Sequence, residues 1–326
     1  MLARRIRITH RFKNMNDSRL ALGLASLGRP GYINLGHGQD LAGNQDYSSL
    51  QNRCLAMLDA AYAAGIRHID AARSYGSAED FLALWIDRRN PADLYISSKW
   101  GYRYTADWKI QAEAHEIKDH SLQHLQSQWK ESRTRLGSFL NLYQIHSATL
   151  KTGVLDDVEV LNFLRDLKEG GLQIGLSLSG TDQSATLERA LEIRMDGIQL
   201  FDSVQATFNV LEQNVASALQ AAYDCGWLVI IKEALANGRL TSRGDCPEFL
   251  EFATVKGVPP DALALAYALS MPFVSRLLLG ATTLEQLESN LQALQIPLPD
   301  RDKEILRGMG EEPAEYWNQR ASLEWN

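Results

Sequence analysis

The feature that most constrains the fold of this chain is a regular alternation of short β-rich runs with helical patterns along its 326 residues. A helical pattern follows each run, and no linker or change of composition separates the units. The eight runs are Leu20–Ser26, Ile66–Asp70, Leu94–Lys99, Phe139–His146, Leu172–Ser177, Gly197–Phe201 with Val204–Ala206, Trp227–Lys232 and Val274–Gly280. Strands separated by helices pair in parallel, and eight such units close a barrel. We therefore predict an α/β fold, a (β/α)8 TIM barrel, in which residues 1–326 form a single domain.

Local signals at the ends of these elements agree with this reading. Gly65, Gly137 and Gly226 stand where a helix should end before the next strand begins. Thr283 and Gln286 have the spacing of a capping box, which predicts the start of the last helix in the alternation. The first fifteen residues alternate as a strand does and predict an N-terminal β-hairpin that caps the barrel floor. A doubly wound open sheet is the alternative fold, but no strand is followed by a G-x-G-x-x-G turn.

Composition excludes several classes of protein. The net charge is −7, and the only short basic block is "ARRIR" at the start, so neither nucleic acid nor an anionic membrane is an expected partner. No apolar run is long enough to cross a bilayer, and no secretory signal follows the basic N-terminus. The three cysteines show no metal-ligand spacing, which favours a reducing cytoplasm and predicts no metal site. The sequence does not specify an oligomeric state.

Polar residues end three consecutive predicted strands. Asp70 ends the second strand, Lys99 the third and His146 the fourth, and Tyr75 lies on the loop that follows Asp70. Each residue alone has an ordinary structural explanation, as a turn, a solvated end, a packing group or a core histidine. In a barrel, however, the carboxyl ends of the strands share one rim, where active sites are built. We therefore expect these four side chains to meet.

Together the four side chains have complementary chemistry. A lysine about 4 Å from a phenol favours the phenolate by ~4 kcal/mol at an effective dielectric of about 20, which lowers the phenol pKa by roughly three pH units. Asp70 would keep Lys99 charged and oriented, and His146 could donate a hydrogen bond to a developing oxyanion. Such a site gives a proton to a carbonyl group, and the reagent that it still needs is a hydride.

At these residues the sequence resembles the aldo-keto reductases, and the resemblance covers nearly the whole chain. The matching motifs are "GIRHIDAARSYGSAED", "ISSKWG" and "LYQIHS". The resemblance implies a (β/α)8 barrel that transfers a hydride between a nicotinamide cofactor and an aldehyde or ketone. It also implies that Asp70, Tyr75, Lys99 and His146 are a catalytic tetrad, with Tyr75 as the acid in reduction and the base in oxidation.

The resemblance also implies cofactor contacts on the later strands. Ser177 matches a serine of the family pattern, whereas Leu178 replaces an asparagine, and Gln205 would hold the nicotinamide carboxamide. In "IIKEALANGRLT", Lys232 falls on an aromatic position that stacks on nicotinamide, and Glu233 falls on a serine. Leu235 and the turn from Gly238 to Leu240 are retained. The alkyl stem of Lys232 could cover the ring while its charge faces a phosphate or Glu233.

The turn "GATTLEQLESN" resembles a family pattern that contacts the pyrophosphate and adenosine. Gly280, Gln286 and Asn290 agree with it, near a helix N-terminus that suits phosphate. Thr282 stands where an arginine would bind the 2′-phosphate of NADP, and losing that contact would weaken discrimination by about 1.5–3 kcal/mol. NADPH is the cofactor that the family implies, and NADH becomes a competitor.

The predicted function is a nicotinamide-dependent carbonyl reductase or alcohol dehydrogenase with a small-molecule carbonyl substrate. Trp100 and Tyr102 follow Lys99 and are interpreted either as loop packing or as an apolar wall for the substrate. The stretch Gly28–Tyr47 is either a substrate flap or a surface loop, and the C-terminal "EYWNQRASLEWN" could fold over the mouth. The alternatives are a cofactor-binding regulatory or redox-sensing subunit with little turnover, and an unrelated barrel enzyme such as a lyase.

Overall fold

The structure, a computed structural model, describes residues 18–326, and the predicted N-terminal hairpin lies outside them. Eight parallel strands close into a barrel in which each strand pairs with its neighbours in the chain and the last pairs with the first. The strands are β1 (Leu20–Gly23), β2 (His68–Asp70), β3 (Tyr95–Trp100), β4 (Leu140–Ala148), β5 (Gln173–Leu178), β6 (Ser203–Thr207), β7 (Leu228–Lys232) and β8 (Arg276–Leu279). The predicted (β/α)8 barrel is thereby confirmed.

Helices surround the barrel and bury their apolar faces against it. They are α1 (His37–Leu41), α2 (Tyr47–Ala63), α3 (Ala78–Arg89), α4 (Leu122–Leu136), α5 (Val158–Glu169), α6 (Gln183–Glu192), α7 (Ala216–Asp224), α8 (Pro247–Lys256), α9 (Pro260–Leu269), α10 (Leu284–Leu291), α11 (Asp300–Arg307) and α12 (Pro313–Ala321). The Thr283 hydroxyl accepts from the backbone amide of Gln286 at 3.2 Å, as the predicted cap requires. None of the helices within residues 18–326 has the length and apolar character needed to cross a bilayer.

The interior of the barrel is apolar at its floor and polar towards its mouth. Tyr95, Leu142, Leu228 and Ile230 form a buried cluster inside the strands. Because side chains alternate between the two faces of a strand, the inward positions further along β3 are a serine and then Lys99. Because the apolar floor is close-packed, it fixes the position of the charged side chains along the barrel axis.

Two of the predicted strands differ most from those in the structure. Within Gly197–Phe201, Ile198–Gln199 pairs antiparallel with Arg194–Met195 in a small ribbon outside the barrel. Asp196 and Gly197 both have positive φ, 51° and 76°, as a tight hairpin turn requires, so the Asp-Gly pair marks a hairpin rather than a strand start. The first strand ends at Gly23 instead of Ser26, because a turn closes on the carbonyl of Leu24.

The long loop after β1 and the C-terminal residues meet across the barrel mouth. The amide of Leu35 donates to the carbonyl of Asn237, on the β7 loop, at 2.9 Å. Tyr32 and Asn326 exchange two backbone hydrogen bonds, each of 3.1 Å. A second ribbon, Tyr102–Tyr104 with Glu116–Lys118, rises from the end of β3 beside them. These segments form the walls above the rim of the strands.

Candidate active site

The structure brings Asp70, Tyr75, Lys99 and His146 together at the carboxyl ends of the strands. Lys99 Nζ donates to Asp70 Oδ2 at 2.5 Å and lies 4.7 Å from the centroid of the Tyr75 ring. Tyr75 Oη lies 3.4 Å from His146 Nε2. The expected meeting of the four side chains is therefore what the fold produces.

Backbone contacts place Tyr75 over the ends of β2 and β3. The amide of Ala71 donates to the carbonyl of Ser97, and the amide of Arg73 donates to the carbonyl of Lys99, so the chain leaving β2 stays attached to β3. A Cβ on Gly28 would lie 2.2 Å from the carbonyl oxygen of Tyr75, which means that only glycine lets the β1 loop pack this closely. The phenol is thus held between two loops rather than on a free surface segment.

The carboxylate of Asp70 is buried and accepts hydrogen bonds from side chains on three strands, β3, β4 and β6. In addition to Lys99, it accepts from Ser97 Oγ at 2.7 Å and from Gln205 Nε2 at 3.0 Å, with Gln144 Nε2 at 3.4 Å. Lys99 Nζ also donates to the carbonyl of Ala71 at 2.9 Å. A buried ion pair is tolerated when hydrogen bonds satisfy its remaining atoms, so this pair forms a fixed, nearly neutral unit under the phenol.

Burial raises the pKa of Tyr75 well above its usual value, and the carboxylates of Asp70 and Glu116 raise it further, whereas Arg29 lowers it. This direction differs from the expectation that Lys99 brings the phenol towards neutrality. The main physical reason is burial, which disfavours the charged phenolate, and the Asp70 carboxylate adds to it by balancing the Lys99 ammonium at 2.5 Å. The phenol is therefore protonated across the neutral range.

His146 is a neutral imidazole. Burial lowers its pKa well below the usual value, and the positive charges of Lys99, Lys232 and Arg29 lower it further. Its Nδ1 lies 3.4 Å from Ser74 Oγ, and its ring stands edge-on to Tyr75 and to Tyr102. A neutral ring held this way can present one N–H to an oxygen without adding charge.

A cavity of about 580 Å³ opens beside these groups and reaches the turn after β8. Its lining contains nearly all of the residues that the resemblance implied for the cofactor: Gln205, Lys232, Glu233, Leu235, Gly238, Gly280, Thr282, Gln286 and Asn290. Ser177 is the exception, since its hydroxyl accepts from the backbone amide of Ser147 at 2.8 Å and Ser179 lines the cavity instead.

The two charged residues at the end of β7 form a network with the C-terminal helix. Lys232 Nζ donates to Thr207 Oγ1 at 2.7 Å and lies 3.6 Å from Glu233. Both carboxylate oxygens of Glu233 accept from Arg320 on α12. Burial alone would raise the pKa of Glu233, but Arg320 and Lys232 hold it well below its usual range, and burial lowers the pKa of Lys232 to about 8.

At the far end of the cavity, the turn after β8 is held by its own side chains. Gln286 Oε1 accepts from the amide and the hydroxyl of Thr282, at 2.8 and 3.0 Å. Gln286 Nε2 donates to Asp40 at 2.7 Å, and Asp40 also pairs with Arg243 at 2.6 Å. A carboxylate from the β1 loop thus stands beside Thr282, at the position where the resemblance placed a phosphate-binding arginine.

The residues along this cavity fit a dinucleotide. The side-chain oxygens of Asn237 and Asn290 line it, are buried and have no hydrogen-bond partner within residues 18–326. Such acceptors suit the hydroxyl and amide donors of ribose and base. The volume also falls in the range of about 300–1,000 Å³ that ligand pockets occupy.

Of the two residues proposed for the substrate, only Tyr102 lines the cavity. Trp100 has an exposed fraction of 0% and stands edge-on to His120, at a centroid distance of 5.6 Å. It is one residue after the inward-facing Lys99, so the alternation of the strand turns its side chain away from the interior. The expectation that Trp100 borders the reacting carbonyl is therefore corrected.

Several cavity residues were not recognised from the sequence as site residues. They are Arg29, Tyr32, Asp40, Glu116, Arg320 and Trp325. Most of them lie in the two segments whose role was left open, Gly28–Tyr47 and the C-terminal stretch. A charged residue between two glycines, as in "GRPG", was the one available signal for Arg29, because glycines allow the close approach seen at Gly28.

The sequence matches a protein-family model and known proteins, and these matches include aldo-keto reductases and an oxidoreductase. The model of the aldo/keto reductase family matches residues 34–311. The chain is 24% identical over 267 residues to an uncharacterised oxidoreductase, YqkF, from Bacillus subtilis, covering 74% of this chain and 82% of that protein. It is 24% identical over 340 residues to the aldo-keto reductase ausK from Aspergillus calidoustus, covering 94% of this chain and 82% of that protein.

Solved structures share the same fold. The holo form of aldo-keto reductase AKR11C1 from Bacillus halodurans superimposes with a TM-score of 0.66 at 20% sequence identity, covering 90% of this chain and 93% of that chain.

Proposed function

Since the chain belongs to the aldo/keto reductase family, we propose that it is a carbonyl reductase or alcohol dehydrogenase in which Tyr75 transfers the proton. The family is one of NAD(P)H-dependent oxidoreductases that act on small-molecule carbonyl compounds, and the chain is an enzyme of this type. The observation that carries the finer proposal is the arrangement of Tyr75 Oη, 3.4 Å from His146 Nε2 and above the Lys99–Asp70 pair, on the wall of a cavity that fits a dinucleotide.

In reduction, Tyr75 gives its proton to the carbonyl oxygen of the substrate. A nicotinamide, when bound in the cavity, would supply the hydride that the carbonyl carbon needs, so that the carbonyl compound becomes the alcohol. The N–H of the neutral His146 orients the carbonyl oxygen towards the phenol, and Lys99 stabilises the phenolate that remains. Asp70 keeps Lys99 in place through their 2.5 Å hydrogen bond.

Reduction needs Tyr75 in its protonated form. Its pKa lies well above the usual value, so the phenol keeps its proton across the neutral range, and charges that lower this pKa make it a better acid. Oxidation needs the phenolate as a base, so the reverse reaction should require higher pH. Both directions use the same groups.

The proposed cofactor is NADPH, with NADH accepted. Gln205, Lys232, Glu233, Leu235 and the Gly238 turn would hold the nicotinamide half, and Gly280, Thr282, Gln286 and Asn290 the adenosine half. Thr282 brings no positive charge and Asp40 brings a negative one, which disfavours a 2′-phosphate. Both observations support a reduced preference for NADPH.

Aromatic or hydrophobic aldehydes and ketones are the proposed substrates. Three aromatic residues, Tyr32, Tyr102 and Trp325, line the same cavity as Tyr75. Flat aromatic walls stack on flat substrates and exclude water from the reacting carbonyl.

The test is the multiple-turnover consumption of NADPH and of NADH with an activated aromatic aldehyde. We expect many turnovers with both cofactors. The Tyr75→Phe variant should lose turnover by roughly 10²–10⁴-fold, because it lacks only the transferable proton, while its dissociation constants for both cofactors stay unchanged.

Two outcomes contradict the proposal. Retained turnover in Tyr75→Phe would remove the phenol from the mechanism. A single turnover or none, with tight cofactor binding, would instead identify a cofactor-binding regulatory subunit.

A further inference from the structure

Arg29 is a buried cation at the mouth of the site that the mechanism has not used. Its side chain has an exposed fraction of only 2%, and it lies on the loop after β1. Nη1 donates to the carbonyl of Ser74 at 3.1 Å and pairs with Glu116 at 2.9 Å. One guanidinium nitrogen therefore connects three separate segments: the β1 loop, the Tyr75 loop and the ribbon after β3.

The guanidinium also lies against aromatic rings. Its Cζ is 5.3 Å from the centroid of the Tyr75 ring, 5.3 Å from that of Tyr32 and 4.7 Å from that of Trp325. A cation within about 6 Å of a ring is attracted to the ring's negative face, and this attraction strengthens when the pair is desolvated. Arg29 is thus a second cation against Tyr75, in addition to Lys99, which lies 4.7 Å from the centroid of the same ring.

The backbone around Arg29 allows little movement. The amide of Ser77 donates to the carbonyl of Gly28 at 2.8 Å, and a Cβ on Gly76 would lie 2.9 Å from the Cβ of Arg29. The two loops are therefore packed as one unit, so the guanidinium and the phenol keep a fixed relative position.

We propose that Arg29 is a positioning residue for Tyr75: together with Glu116 it holds the phenol over Lys99 and sets how readily the phenolate forms. This proposal rests on the proposed function, in which Tyr75 transfers the proton. Arg29 stabilises a negative phenolate, and Glu116 opposes it. The pair acts through Tyr75 and does not touch the reacting carbonyl.

The other charged groups around Tyr75 lie in ion pairs of their own. Asp70 and Lys99, from β2 and β3, form a nearly neutral pair, and His146, from β4, is neutral. Glu233, just after β7, raises the pKa of Tyr75, and it is paired with both Arg320 and Lys232. Arg29 and Glu116 form the remaining ion pair, and their effects on the pKa of Tyr75 are opposite: the guanidinium lowers it and the carboxylate raises it.

The experiment separates the two halves of this ion pair. It compares wild-type enzyme with Arg29→Met, Arg29→Lys and Glu116→Gln, and measures kcat/KM for alcohol oxidation against pH. Oxidation needs the phenolate, so below the pKa of Tyr75 its rate changes by up to about tenfold for each unit by which that pKa moves.

We expect the Arg29 and Glu116 variants to change kcat/KM for oxidation in opposite directions. Arg29→Met should lower kcat/KM for oxidation at about pH 8 by roughly tenfold or more, and Glu116→Gln should raise it by up to about tenfold. Arg29→Lys should recover part of the loss because it keeps the charge. For aldehyde reduction, Arg29→Met should lower kcat while KM stays within about threefold.

The outcomes distinguish this inference from the proposed function. If wild-type enzyme does not turn over, or if Tyr75→Phe does, the proposed function itself fails. If Tyr75→Phe is inactive and both ion-pair variants move the oxidation rate in the same direction, or neither moves it, only the role of Arg29 fails. A large rise in KM for Arg29→Met with an unmoved pH profile would make Arg29 a substrate contact instead. If Arg29→Met does not fold, Glu116→Gln and Arg29→Lys still show in which direction each half of the ion pair changes the oxidation rate.

Discussion

Lys232 is a charged residue at a position that the resemblance assigns to an aromatic ring. Its side chain is 16% exposed, and Nζ donates to Thr207 Oγ1 at 2.7 Å. Burial lowers the pKa of Lys232 to about 8, while Glu233 opposes that change. Its charge also lowers the pKa of His146, which means that it acts at the end of the cavity where His146 lies. A lysine here adds a positive charge that is lost as the pH rises through about 8.

We predict that Lys232 makes the site favour the reduced, uncharged nicotinamide over the oxidised, cationic one. At neutral pH the ammonium repels the positive ring of NADP⁺, and two unit charges about 7 Å apart at an effective dielectric of about 20 interact by ~2 kcal/mol. As the pH rises through about 8, the lysine loses its proton and the repulsion fades. The ratio of the dissociation constants for NADP⁺ and NADPH should therefore fall by roughly tenfold between about pH 7 and about pH 9.

Two variants control this prediction, with binding followed by protein fluorescence. Lys232→Met should give a low ratio that is flat with pH, and Lys232→Arg should give a high ratio that is also flat, because arginine stays charged. A ratio that falls equally with pH in Lys232→Met would assign the effect to another group.

The secondary-structure elements were predictable largely because their periodicity is local. The alternation located every barrel strand and predicted that Asp70, Lys99 and His146 end three of them. In the structure Asp70 ends β2, while β3 continues to Trp100 and β4 to Ala148. The same rule, applied one residue further, excludes Trp100 from the mouth, since neighbouring side chains on a strand face opposite ways. The Asp-Gly pair at Asp196 and Gly197 was an equally local signal for a hairpin. Arg29 and Arg320 were not predictable, because their partners are Glu116 and Glu233, far away in sequence.

Helix α12 is attached to the barrel by buried polar contacts. Arg320 binds both carboxylate oxygens of Glu233, and Trp317 Nε1 donates to Glu212 at 2.8 Å. Removing one partner of a buried ion pair leaves the other charge uncompensated. We predict that Arg320→Met lowers the free energy of unfolding by about 3 kcal/mol, as measured by urea denaturation.

A double-mutant cycle tests whether the pairing is the cause. Glu233→Gln combined with Arg320→Met should recover part of the lost stability, because it removes the carboxylate that Arg320→Met leaves without its main partner, while Lys232 loses its own carboxylate partner. Because the pKa of Glu233 is depressed, its contribution should be complete above the ordinary glutamate pKa of about 4.3 and should be lost only as the pH falls through the lower folded-state pKa. Equal destabilisation in the single and double variants would show that the packing of α12, not the charge pair, is responsible.

The whole molecule builds its cavity from segments far apart in the chain. The β1 loop crosses to the β7 loop through Leu35 and Asn237, and Asn326 pairs with Tyr32 above the rim. Asp40, which lies between β1 and α2, binds Arg243 after β7 and Gln286 after β8, so it connects three segments of the chain. Local sequence patterns do not predict such contacts, because the contacts depend on how the closed barrel brings its loops together. The sequence could therefore predict the strands and the meeting of four polar side chains at the barrel rim, but not the walls of the cavity.

This assembly has a consequence for the choice of cofactor, which Asp40 should control. Its carboxylate stands beside Thr282, at the end of the cavity proposed for the adenosine, and it engages the guanidinium of Arg243 at 2.6 Å. Asp40→Asn removes the negative charge, keeps an acceptor of similar shape and releases Arg243 to bind a 2′-phosphate. We predict that NADPH then binds roughly tenfold more tightly, a gain of ~1.4 kcal/mol, while the affinity for NADH changes by less than about twofold.

Titration of both reduced cofactors against each variant, monitored by fluorescence, measures this difference directly. The double variant Asp40→Asn with Arg243→Met should return the NADPH affinity to the wild-type level, because the released cation is then missing. A parallel gain for NADH and NADPH in Asp40→Asn would mean that the carboxylate acts on a part common to both cofactors, such as the pyrophosphate. Only a gain confined to NADPH places Asp40 at the 2′ position, since the two cofactors differ there alone.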